Sequence, residues 1–142
     1  MSSLVNTWVR LSTDRLVRAD RIVAVDLWGP PNGDKQTEVV ADEPARIMLQ
    51  IDGDEEEPWR EAATVNAERG GELITYLLSL LNSPNPDGSK VRYVYGLYRG
   101  EELYRWMHGT TIPVMPDGRV RPLHEVHDPN PGLSVGMVPS RR

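Results

Sequence analysis

The chain has 142 residues, 39% of them hydrophobic and 26% charged, with a formal net charge of −5 and no cysteine. That length suits one domain burying roughly two-thirds of the surface its unfolded chain exposes. The missing thiols exclude disulfides, thiolate zinc sites and cysteine nucleophiles.

Four Trp, five Tyr and no Phe make up the aromatic set, so every ring carries a polar handle that needs water or a partner. Ten acidic residues fall between Asp34 and Glu61, whereas six basic residues face three acids between Lys90 and Arg121. Fourteen of the sixteen cations are Arg, a residue suited to planar, bidentate pairing. An acidic chain binds nucleic acid only where its cations gather on one face, so nucleic acid is a disfavoured partner. Met1–Asn6 lacks a basic stretch followed by an apolar run, against a secretory signal. The longest apolar stretch, Leu73 to Leu81, is half of the roughly 18 residues of a membrane helix. A cytoplasmic protein with no membrane partner is expected.

In chain order, Val5–Leu11 alternates with period two and reads as a strand. Ser12-Thr13-Asp14 is turn chemistry, Leu16–Arg18 begins a second strand, and Ala19-Asp20-Arg21 interrupts it. Ile22–Leu27 is apolar on both faces and is expected to be a covered, central strand. Gly29–Asp34, with two prolines, breaks the ladder. Thr37–Val40 is a candidate short edge strand, and Arg46–Ile51 pairs with Trp59–Val65 across an acidic loop.

Asn66 is placed as a helix N-cap with Glu68 in the first turn. The apolar residues from Leu73 to Leu81 span an arc of roughly 200°, wider than one sheet requires. A second apolar neighbour for this helix is therefore expected. Gly70-Gly71 is read as the place where helix and sheet approach closely, and the proline-glycine run from Ser83 to Gly88 ends the helix. Val91–Tyr98 and Glu102–Met107 form a hairpin, with a short helix as the alternative for 100–108. Ile112–Arg121 reads as a last hairpin, and from Asp128 onward prolines and glycines describe a tail. Together these give one α+β domain over 1–128 and a tail over 129–142. The domain is an antiparallel sheet of about five strands carrying a helix over 66–82, with further C-terminal hairpins.

No stretch carries a catalytic constellation. His124 and His127, three apart between Pro122 and Pro129, do not match the helical zinc spacing, and Asp52–Glu57 lacks the order of a calcium loop. No metal, cofactor or catalytic residue is assigned, and the balance is against an enzyme. The distinctive segment is Arg92–Trp106, where Tyr93, Tyr95, Tyr98, Tyr104 and Trp106 interleave with Arg92, Arg99 and Arg105. Tyr, Trp and Arg supply much of the energy at protein interfaces, because each joins a large contact area to a polar tip. These eight residues are the candidate contact surface. Tyr93 and Tyr95 share a face, with Tyr104 and Trp106 as their expected cross-strand neighbours. The expected function is a non-enzymatic interaction module that associates with itself as a homodimer, or with a protein partner, through this hairpin and the free flank of the helix. A small-molecule protein or small enzyme with a pocket between helix and sheet is the alternative. A weak nucleic-acid binder using the 92–121 region is a further one.

Overall fold

The computed structural model describes residues 6–32, 35–83 and 90–112. Thr7–Arg10 (β1) and Leu16–Arg18 (β2) pair antiparallel, with Val9 opposite Val17 and both buried. The chain then passes through a 3₁₀ turn, Ala19–Arg21, and leaves that sheet. Ile22–Trp28 (β3), Pro44–Ile51 (β4) and Trp59–Asn66 (β5) form a separate antiparallel sheet in the order β3-β4-β5. A second 3₁₀ turn, Ala67–Arg69, leads into the helix Gly70–Asn82 (α1). Arg92–Arg99 (β6) and Glu102–Gly109 (β7) then return to the first sheet, giving the order β2-β1-β6-β7.

The α+β class stands, but a single sheet of about five strands does not: the described residues form two sheets, of four and three strands. The interruption at Ala19-Asp20-Arg21 is where the chain changes sheets, with Ala19 buried at the corner. β6 joins β1 in parallel. A parallel pair needs a long crossover, and here the crossover contains the whole second sheet and the helix. Nothing local marks such a pairing.

The covered strand is β4 rather than β3. Ala45 to Leu49 are all buried, whereas β3 lies at a sheet edge and its Val23 is 60% exposed. Thr37–Val40 is an extended loop outside both sheets. The loop leading into it serves a side chain with its carbonyl groups: Arg46 donates from Nε to Gly29 O (3.0 Å) and from Nη2 to Lys35 O (3.0 Å). Gly29 N–H donates to Thr37 O (2.9 Å). A Cβ at Gly29 would lie 1.9 Å from Glu38 O, so only glycine lets this loop fold back on itself.

Asn66 caps as expected, its Oδ1 accepting from Glu68 N–H at 2.9 Å, but the element it caps is the 3₁₀ turn. The α-helix proper starts at Gly70, where a Cβ would meet Leu27 Cδ2 at 2.6 Å; Gly71 faces open space. Leu73, Leu77, Leu80 and Leu81 are buried, and α1 touches β3, β4 and β7, so the helix fills the mouth between the two sheets. The wide apolar arc divides accordingly. One side enters the core, while Tyr76 and Leu78 remain exposed. Residues 100–108 adopt the hairpin rather than the helix. The hairpin expected over 112–121, His124, His127 and the tail over 129–142 lie outside the described residues.

Candidate interaction surfaces

β6 and β7 alternate between two environments. Arg92, Tyr98 and Trp106 turn inward and are buried. Arg92 Nη2 donates to Leu80 O (2.8 Å) and Ser83 O (3.2 Å), placing a cation on the last carbonyls of α1. A positive charge there is favoured by the helix dipole, while burial pulls the guanidinium pKa down. Trp106 Nε1 donates to Leu73 O at 3.1 Å, tying the ring to the first turn of the helix. Burial, with a smaller effect from Glu61, pushes the Tyr98 phenol well above its ordinary value. These three of the eight expected contact residues serve the interior of the subunit. The basic set considered for nucleic acid loses Arg92 by the same burial, and Arg119 and Arg121 lie outside the described residues.

The other face of the hairpin is different. Tyr93 and Tyr95 are half-buried, and their cross-strand partners are Gly109 and Met107 rather than Tyr104 and Trp106. A bulge between Leu97 and Tyr98 shifts the register and sends the second pair of rings elsewhere. The Tyr104 ring lies 3.6 Å from the Arg99 guanidinium and 5.5 Å from that of Arg69, joining the start of the helix to the hairpin. Arg105 is exposed, opposite Leu97. On the neighbouring strand, Trp8 sits level with Tyr93 and is half-buried. Trp8 with Tyr93, and Tyr95 with Met107, therefore occupy two successive rungs of one face across three adjacent strands. Trp8 is absent from the sequence-based set because only the parallel β1–β6 pairing brings it there.

A second aromatic feature lies on the outer face of the β3-β4-β5 sheet. Trp28 and Trp59 rings approach to 5.5 Å at 45°. With Met48, Pro31 and Pro58 they line a cleft of about 430 Å³, bordered by Glu56, Glu57 and Glu61. Trp28 and Met48 are buried yet lie outside the main core cluster. They form a small packed layer under the cleft. Trp28 Nε1 donates to Asp26 Oδ2 (3.1 Å), and Arg46 lies 5.4 Å from the Trp28 ring. In the loop beside the cleft, Asp54 accepts from Arg60 Nε (2.9 Å) and Arg15 Nη1 (3.2 Å). The Arg60 hydrogen bond, then the Glu57 backbone N–H, hold its carboxyl below its ordinary value. The sequence places Arg46–Ile51 beside Trp59–Val65 but does not show this cleft, since Trp28 comes from a third strand.

The space between α1 and the sheets, where a ligand pocket is the alternative expectation, is occupied by the four buried leucines of the helix. Comparison with protein-family models, with curated proteins and with solved structures gives no match for this chain, so its function is read from these faces and clefts alone.

Proposed function

We propose that this chain is a non-enzymatic interaction module that associates with a second copy of itself through the outer face of its four-stranded sheet. One observation carries the reading: Trp8, Tyr93, Tyr95 and Met107 share one face across three strands and stay half-buried rather than covered by the core. Rings that share a sheet face and keep part of their surface open have the composition of an interface centre. Burying them against an identical face satisfies a two-fold, self-complementary contact. Arg105, exposed opposite Leu97, lies beside these rings, at the charged rim such contacts have.

The exposed flank of α1, Tyr76 and Leu78, is a separate and smaller surface. Sedimentation velocity over a concentration series tests the reading. The full chain is expected to sediment as a dimer that dissociates on dilution. Tyr95→Arg should return it to a monomer with a thermal midpoint close to that of the parent diluted below its dissociation constant, while Tyr76→Ser should leave the dimer intact. A monomer at every concentration would overturn self-association, and a dimer lost only in Tyr76→Ser would move the contact to the helix.

A further inference from the structure

We infer that the Trp28–Trp59 cleft is a binding site for an extended, proline-rich peptide segment that carries arginine. This site is on the other sheet from the proposed dimer face and does not depend on it. Shape is the first argument. The site is an open cleft of about 430 Å³ on the surface of the sheet. Its floor lies on the sheet face over Met48, in the centre of β4, not along a strand edge. A ligand there cannot add to the ladder by main-chain pairing and must be recognised through its side chains.

The lining defines those side chains. Two indoles in contact, tilted at 45° with centroids 5.5 Å apart, form the aromatic wall of a notch that Pro31 and Pro58 also line. Rigid, flat pyrrolidine rings presented by a polyproline II helix dock in aromatic-lined grooves of this kind, and the helix loses little entropy because it is already formed. Trp28 is fixed by Asp26 and by Arg46, and is buried, so the notch is preorganised; Trp59 is the half-exposed wall.

Charge completes the assignment. The cations near the cleft are already engaged: Arg46 by the carbonyls of Gly29 and Lys35, Arg60 by Asp54 and Glu57. Among the described residues, Glu56 is exposed and in no ion pair, and the Glu61 carboxylate is in none either, accepting a long contact from Thr64 Oγ1 (3.4 Å). The rim thus keeps unneutralised carboxylates beside an apolar notch. An arginine flanking the prolines would meet them as a bidentate partner.

The test uses the full-length chain labelled with ¹⁵N and an acetylated Arg-Pro-Pro-Pro-Pro-Pro-Arg peptide. Each of the four tryptophans gives one indole N–H signal. Titration should move those of Trp28 and Trp59 and leave that of Trp106, bonded to Leu73 O, in place. A Glu-flanked peptide should bind about tenfold more weakly, and Glu56→Lys should weaken the Arg-flanked peptide by about two- to fivefold. Trp59→Ala should lower affinity more than about tenfold. Because Glu56 is exposed, its variant keeps the test valid if Trp59→Ala unfolds. No shift at millimolar peptide, equal binding of both peptides, or shifts confined to Trp8 would overturn the assignment. Equal binding of tetramethylammonium with the same two shifts would replace the peptide by a small cation.

Discussion

The β6–β7 hairpin and the Trp28–Trp59 cleft use the same residue types to different ends. In the hairpin, the polar tips of Arg92 and Trp106 end on the carbonyls of α1, so the arginine and the ring act as fasteners between sheet and helix. In the cleft, Arg46 and Trp28 are fastened beneath the surface, with Trp59 packed against Trp28 and Glu56 exposed beside them. Richness in Arg, Tyr and Trp marks a contact surface only where the polar tips are not consumed inside. On the hairpin those tips are consumed on the inner face, while Tyr93 and Tyr95 on the other face stay half-buried.

The sharpest way to break this comparison is to remove a fastener. Trp106→Ala is expected to cost about 3–5 kcal/mol by deleting a fully buried ring, read as a shift in the urea midpoint. Trp106→Phe keeps most of the volume and loses the hydrogen bond to Leu73 O, for about 1 kcal/mol. If both variants cost the same small amount, the inner face is no fastener. Arg92→Met comes next. It leaves Leu80 O and Ser83 O without their charged donor and should cost about 1.5–3 kcal/mol, with early exchange of amides at the C-terminal turn of α1.

Gly29→Ala probes the cleft's support. The added Cβ collides with Glu38 O, so the loop that receives Arg46 must shift, at about 1–3 kcal/mol. The indole signal of Trp28 should move with it, whereas that of Trp106 should not. A silent Trp28 would mean that the loop and the cleft floor are uncoupled. Tyr95→Ser on the outer sheet face should change monomer stability by no more than about 0.5 kcal/mol while abolishing self-association. Loss of stability instead would place Tyr95 with the fasteners.

How much of the fold is legible in the residues depends on the range of the interactions. Period-two alternation locates β1, the runs on either side of the acidic loop locate β4 and β5, and the Asn66 cap with the leucine repeat locates the helix, because each of these is decided within a few residues. The central strand is not decided locally: Ile22–Leu27 is apolar enough for a covered strand, yet the chain pairs it on one side only. The split into two sheets depends on β1 meeting β6, residues more than eighty positions apart, and no local pattern encodes that. The same distance hides Trp8 from Tyr93, and a shorter one hides Trp28 from Trp59. Within the hairpin, the alternation places Tyr93 and Tyr95 on one face, but one bulge redirects Tyr104 and Trp106.

The smallest expected effect concerns pH and the loop beside the cleft. Asp54 has its carboxyl held below the ordinary 3.8 by Arg60 first and the Glu57 N–H second. A group whose folded value is depressed contributes stability that is fully present above its unfolded value. That contribution is lost as the pH falls through the lowered folded value. Arg60 and Arg15 stay charged throughout, so the loss belongs to the carboxylate. In urea unfolding, Asp54→Asn should therefore be less stable than the parent near about pH 6, and the gap should close as the pH drops below about 4. Raising the salt should shrink the gap at pH 6 as well, because the loop is open to solvent. A gap that stays constant with pH would assign the contact of Asp54 to its neutral hydrogen bonds alone. The carboxylates of this loop would then be free to serve the cleft rather than the arginines that now hold them.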